Sequence, residues 1–309
     1  MNRKLININS RKIKSIFGKT VIFLLMIGFS YVVLFPFFAK ISSSLMSKND
    51  LYDVAVSLVP REFSLDNFKH FILQDSFLKS LFNTAFFALC VSVCTVISAT
   101  LVGYGLARFR FKGVTLCLIA LILTMLIPSI TIWIPLYETF RFFDVFGIIK
   151  ATTGAPLNLT NTVIPIVVLA ITSLGFKGGI HTLLMRQYFA GVPKEISEAA
   201  YVDGAGAWKT FITIMAPMAK SMMIVVFILS FVWQWTDTYF INIFYGSKEL
   251  LPNLVLSNTV LSSSSNANFY QGFVYANAGV LISILPPLVI YIVFQKKIIG
   301  GIESAGLVG

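Results

Sequence analysis

The chain has 309 residues, of which 57% are hydrophobic and 12% charged, and it carries a net charge of +11. A soluble fold has about 25% charged residues, so this composition excludes an ordinary water-soluble domain and leaves most of the surface facing lipid. It also excludes a nucleic-acid binder, which needs a continuous basic surface with aromatic platforms. Here the basic residues are scattered along the edges of apolar blocks.

Residues 1–20 form a basic segment that interleaves Arg3, Lys4, Arg11, Lys12, Lys14 and Lys19 with Leu5, Ile6, Ile8, Ile13, Ile16 and Phe17. Two readings stand for it: an amphipathic helix lying on the membrane surface, or a tail held near anionic lipid. Six apolar blocks follow, at about 21–39, 81–106, 114–136, 162–181, 221–244 and 273–294. Each is close to the roughly 20 residues that cross about 30 Å of hydrocarbon as a helix. None shows the period-2 alternation of barrel strands. The first block is too long for a signal-peptide core and lacks a small-x-small site at Phe37-Phe38-Ala39-Lys40, so it reads as an uncleaved anchor. The expected fold is an all-α integral membrane protein with six transmembrane helices, in which 21–309 form one transmembrane domain.

Six spans put both termini on one side. The segments on that side hold 16 basic and four acidic residues, against eight of each on the other. The positive-inside rule makes the basic side, with both termini, cytoplasmic. Cys90, Cys94 and Cys117 all fall inside blocks and read as small apolar filler. His70 and His181 stand alone, so no metal site or catalytic constellation is expected.

The most polar cytoplasmic stretch lies between the fourth and fifth blocks, with its informative part at about 190–217. Pro193 suits the first turn of a helix. Glu195 and Glu198 favour its dipole-positive end, and Ala199 and Ala200 are strong helix formers. Gly204, after Asp203, ends the helix in a left-handed cap. From Ala205 the chain restarts over 207–214, and Pro217, after Ile214, marks entry to the next span. Paired alanines would let another protein approach closely, with Glu198 offering a charge across the gap. An ordinary interfacial helix is the bland alternative.

Two charged residues, Lys177 and Asp237, fall within or at the edge of the blocks, where a charge is costly and a functional candidate by default. Asp237 lies about 24 Å into the fifth block and Lys177 about 22 Å into the fourth, counted from opposite sides. They differ in depth by roughly 16 Å in a core of about 30 Å, so no ion pair is expected. Lys177 is expected to snorkel toward the cytoplasmic headgroups, beside a bend at Gly175, Gly178 and Gly179. Asp237 is grouped with Trp233, Trp235 and Tyr239. Indole faces stack on sugar rings and carboxylates accept from hydroxyls, which makes these four, with Asn277 of the sixth block, candidates to line a substrate path. An interfacial aromatic belt is the alternative. The external stretch at about 245–272 is long, nearly uncharged, and contains Ser262, Ser263, Ser264, Ser265 and Asn266, a flexible composition.

The order of motifs resembles that of the permease subunits of binding-protein-dependent ABC importers, specifically the second, shorter permease of maltose-type sugar importers. Glu198-Ala-Ala-x-x-Asp203-Gly204-Ala205 with Ile214 and Pro217 looks like the family's EAA loop, although Ser221 stands where a second proline is frequent. Asn83-Thr84, Tyr104–Gly113, Met125-Leu-Ile-Pro128, Ile134-Pro-Leu-Tyr137, Trp235-Thr-Asp237 and the Gly-rich end at 300–309 resemble further family elements in order. The resemblance implies an ABC importer permease fold and a coupling helix at the EAA loop. It implies a second homologous permease subunit, two ATPase subunits holding ATP and Mg, and an extracytoplasmic solute-binding protein met by the 262–266 loop. It implies a place in the cell membrane and a sugar or oligosaccharide cargo, with glycerol phosphate, an acidic sugar or a polyol as the alternative. No phosphate-binding G-x-x-x-x-G-K-[ST] loop occurs, so this chain is expected to hold no cofactor and to be a transporter subunit rather than an enzyme. An ion-coupled secondary transporter would need embedded carboxylates in repeated halves, and Asp237 is the sole carboxylate in a block.

Overall fold

The computed structural model describes residues 2–53, 55–175, 177–246, 249–262 and 269–306. Its elements are helical; the described residues contain two isolated β-bridges, Met46 to Phe63 and Phe143 to Leu157, and no strand. In chain order the helices are α1 (Asn2–Ser44), α2 (Lys48–Tyr52), α3 (Asp66–Ile72), α4 (Phe77–Arg108), α5 (Val114–Leu126), α6 (Ser129–Arg141), α7 (Ile148–Thr153) and α8 (Ile164–Ile171). Then come α9 (Gly178–Gly191), α10 (Lys194–Val202), α11 (Ala207–Thr210), a π turn at Phe211–Met215, α12 (Ala216–Met218), α13 (Lys220–Thr236), α14 (Tyr239–Tyr245), α15 (Leu251–Ser262) and α16 (Phe269–Gly306).

Among the described residues, three helices are long and apolar enough to cross a membrane: Ile16–Ser44, Phe77–Arg108 and Gln271–Ile298. Two more candidates are bent pairs, Val114–Leu126 with Ile130–Arg141 and Ala207–Met218 with Lys220–Thr236, the latter bent by 73°. The expectation of six continuous spans is therefore met in part. The third block breaks at Pro128, which lacks an amide proton and ends α5. The fourth block is two helices, α8 and α9, separated where Ser173 and Lys177 adopt φ of 60° and 59°. Gly178 belongs to that elbow, since a Cβ there would fall 2.4 Å from the Ser173 carbonyl oxygen. The fifth block is interrupted at Asp237, which is extended between α13 and α14.

The chain divides into two compact units. One comprises 1–74 and 255–282. In it α1 is exposed along its apolar length from Val21 to Phe38, as a lipid-facing helix is. Its C-terminal carbonyls are met by Asn67, whose Nδ2 donates to Ser44 O and Met46 O at 2.9 Å each. Phe71 is fully buried against Gly279, where an added Cβ would lie 2.4 Å from the ring. His70 stacks on Tyr275 at 4.0 Å.

The other unit comprises 75–254 and 283–309, and α4 is its axis. One end of α4 packs with α9, the π turn and α13 through Val96, Ala99, Tyr104, Met185, Phe189, Met215 and Met222. The α4–α9 approach is close enough that a Cβ on Gly103 would sit 2.7 Å from that of Met185. The other end packs Phe87 and Val91 against Ile166, Phe240 and Phe244. Asn83 and Thr84 pin 249–251 to α4: Asn83 Nδ2 donates to Glu249 O, and Thr84 Oγ1 accepts from Leu251 N at 2.8 Å.

Candidate functional site

The loop between α9 and α13 is built as its sequence demands. Pro193 stands extended before α10, a helix of nine residues. Its end is a Schellman turn, in which Gly204 N donates to Tyr201 O and Ala205 N to Ala200 O, with Gly204 at φ +80°. A short α11, the π turn and α12 follow, and Pro217 occupies the first turn of α12. The bend into α13 comes immediately afterwards.

Phase decides what this loop presents. Ser197 and Ala200 face inward and are buried, while Glu198, Ala199, Tyr201, Val202 and Asp203 are exposed. The alanine pair is thus split: Ala199 faces out, and Ala200 seats α10 on its own chain. The expectation that both alanines lie open to an approaching surface is corrected: only Ala199 is exposed, because adjacent helical residues point about 100° apart. Ala205 and Ile214 are half-buried and support the turn. Beneath α10, Ser197 Oγ lies 3.8 Å from Met215 Sδ, and Ile196 packs on the cluster that contains Met215, Ala219 and Met222. Arg108 Nη2 donates to Val192 O at 2.6 Å, tying α4 to the start of α10. Tyr188 Oη donates to Met218 O at 2.6 Å. Burial pushes the Tyr188 hydroxyl up, keeping it a donor. Sequence reasoning missed two exposed apolar residues of the same surface, Val202 (87% exposed) and Trp208 (64%). A tryptophan in an otherwise polar loop was the available signal.

The expected substrate-path residues part company. Trp233 is half-buried, with Lys177 Nζ 4.2 Å from its ring centroid and the His181 ring tilted against it at 5.2 Å. Lys177 thus rests on an aromatic face of the adjoining helix, a cation–π contact. Tyr239 is exposed and lies 4.6 Å from Trp133. Trp235 is buried, its Nε1 donating to Ser283 O at 2.8 Å, which makes it a packing residue. Asp237 is taken up by the start of α14: Oδ1 accepts from Tyr239 N and Phe240 N, Oδ2 from Ile241 N. Asn277 belongs to the other unit, where its Oδ1 accepts from Lys40 Nζ at 2.9 Å and its Nδ2 donates to Ser43 Oγ at 3.0 Å. Ser262 closes α15; Ser263, Ser264, Ser265 and Asn266 lie outside the described residues.

Residues 99–298, which contain this loop and the broken spans, match the family of binding-protein-dependent transport system inner membrane components. The chain belongs to that family. Among curated relatives, the permease is 27% identical over 293 residues to the arabinooligosaccharides transport system permease AraQ of Bacillus subtilis, covering 93% of this chain and 94% of that one. It is 28% identical to the maltodextrin transport system permease MdxG of Bacillus subtilis, over 94% and 97% of the two chains. It is 24% identical to the sn-glycerol-3-phosphate transport system permease UgpE of Yersinia enterocolitica, over 89% and 92%. A chain of a bacterial ABC transporter involved in the import of the acidic polysaccharide alginate superposes with a TM-score of 0.69 over 91% of this chain and 96% of that one, at 21% identity. That likeness shows the fold. The permease is accordingly a multi-pass cell-membrane transporter subunit and not an enzyme.

Proposed function

We propose that this permease forms half of the translocation pathway of an ATP-driven importer for a sugar or oligosaccharide. It pairs with a second, homologous permease, has six spans with both termini cytoplasmic, and receives cargo from an extracytoplasmic solute-binding protein contacted through 262–266. ATP and Mg reside on two separate ATPase subunits. The sugar assignment is supported by the arabinooligosaccharide and maltodextrin relatives.

One observation carries the coupling assignment: α10 is seated through Ser197, which meets Met215 of the π turn, and Ile196, which packs on the cluster leading into α13, while Glu198, Ala199 and Val202 stay exposed. A partner that moves α10 therefore moves the base of α13. Closure of the ATPase pair on ATP draws the coupling helices together and opens the pathway outward. The work comes from the different nucleotide affinities of the two states. The test is an Ala199→Cys crosslink in membranes of the assembled importer. Capture of the ATPase subunit is expected; labelling of that cysteine from the cell exterior would refute the topology and the coupling together.

A further inference from the structure

One membrane-crossing helix, α4, ends at Arg108, and α5 begins at Val114. No residue of α5 is buried, and Leu116, Ile119 and Ile122 stand exposed, as on a helix that faces lipid. The turn between the two helices, 109–113, therefore stands where hydrocarbon gives way to water. It reverses at Gly113, where φ is +112°, and Val114 N donates back to Phe111 O. Arg108 fixes its side of the membrane: Nη2 donates to Val192 O, just ahead of α10, so the turn and the α10 loop share one face. Phe109, Arg110, Phe111 and Lys112 are all exposed. With Leu106, Ala107 and Val114 they line an open cavity of about 480 Å³.

The wall alternates apolar rings with cations, and the cations are unspent. Among the described residues neither Arg110 nor Lys112 has a hydrogen-bond, ion-pair or ring partner, and the wall holds no carboxylate. Basic residues at the edge of a span draw anionic headgroups, and the Arg110 guanidinium is a fork that matches a phosphate. A soluble anion would meet these charges but leave both phenyl rings in water, where apolar area is unfavourable. A phosphate that carries acyl chains meets both needs, because phenyl rings enter the boundary between headgroups and chains. The site is also held in place. Phe109 packs edge-on against Tyr104 at 5.7 Å, and Tyr104 lies 4.8 Å from Phe211 of the π turn, so the turn is braced on the cluster that carries α10.

We propose that the α4–α5 turn is a binding site for an anionic phospholipid of the leaflet on the α10 side, its phosphate on Arg110 and Lys112 and the first carbons of its chains against Phe109 and Phe111. The test is the lipid retained by the assembled importer when native mass spectrometry releases it from nanodiscs of phosphatidylcholine mixed with phosphatidylglycerol. The wild type is expected to retain phosphatidylglycerol beyond its share of the bilayer. Arg110→Gln and Lys112→Gln should each lower that excess about 5-fold, and the pair roughly 30-fold, from about 1 kcal/mol for each cation at the membrane surface. Phe111→Ser should cost a few-fold at every salt concentration, whereas the effect of the cations should fade as salt rises. Lys209→Gln removes an equal charge from an exposed position outside the cavity and should change nothing. An equal loss in Lys209→Gln would mean diffuse attraction and overturn the proposal, as would a wild type with no preference for phosphatidylglycerol. Two further results would overturn it with the wild-type fold intact. Displacement of the lipid by inorganic phosphate at constant ionic strength would make this a soluble-anion site, and loss of the ATPase subunits from the double variant in pure phosphatidylcholine would make it a protein interface.

Discussion

Gly204 offers a clean test of the lever, because its neighbourhood is empty. A Cβ built there meets nothing within 4 Å, and φ is +80°. A substituted side chain therefore clashes with no neighbour and acts only through the backbone. Holding an ordinary L-residue in the left-handed region costs about 1–2 kcal/mol. Escaping that cost by continuing α10 would break the bonds from Gly204 N to Tyr201 O and from Ala205 N to Ala200 O, each worth about 1 kcal/mol net. Either route lowers the ratio of the native turn to its alternatives by roughly 5- to 30-fold, the factor that one or two kcal/mol represents, which is the ceiling on the loss of function. Gly204→Leu should lower ATP-driven uptake, and the Ala199→Cys crosslink to the ATPase, measurably and by up to that factor, with the amount of chain in the membrane unchanged. Gly204→Asn, whose side chain tolerates the left-handed region, should stay within about 3-fold of wild type. Equal losses for Leu and Asn would mean that side-chain contact governs the site; wild-type uptake in Gly204→Leu would refute the lever.

Gly279→Ala places a methyl 2.4 Å from the buried Phe71 ring and should destabilise its unit by about 1–3 kcal/mol; thermal melting of the solubilised importer checks this, and Phe71→Leu in the same chain should recover part of the loss. Lys40→Met removes the donor to Asn277 Oδ1 and should cost about 1–3 kcal/mol, seen as less folded chain in the membrane rather than as a change in cargo affinity. Val202→Ser and Trp208→Ser remove exposed apolar area from the α10 face; ATPase association should weaken by about tenfold or less in co-purification, with melting unchanged. Asp237→Ala leaves three amides of α14 without their acceptor and should cost about 0.5–2 kcal/mol as a lost cap, while Asp237→Asn keeps most of it; a raised KM with unchanged melting would instead make Asp237 a cargo contact.

The elements fixed by local chemistry were legible in the sequence. Pro193 and Gly204 bound α10 as their backbone preferences require, and the glycines around Lys177 mark the elbow that the structure contains there. The continuity of the spans was not legible, because hydropathy measures transfer into lipid and is indifferent to whether a helix breaks inside the apolar stretch. Asp237 read as a lone buried charge since its acceptors' partners, the amides of α14, exist only after α13 has ended. Helical phase relative to neighbours turned Ala200 inward and buried Trp235, and no pattern within nine residues fixes that phase. The pairing of Asn277 with Lys40 spans 237 positions, beyond any periodicity.

The two halves of the site are joined by a single rigid piece. The base of α13 lies in the cluster with Met215, Ala219 and Met222, which carries α10, and just past its far end stand Asp237 and Phe240, the latter on the wall of a cleft of about 370 Å³ that Trp133 and Ser173 also line. Its 17 residues span about 26 Å. An unbroken helix of that length transmits a displacement applied at one end, whereas the breaks at Pro128, at the α8–α9 elbow and at Asp237 let the cleft wall yield. Under the proposed reading the division is functional: the stiff helix carries the motion, and the interrupted ones, whose exposed backbone can meet a polar cargo, change shape around it.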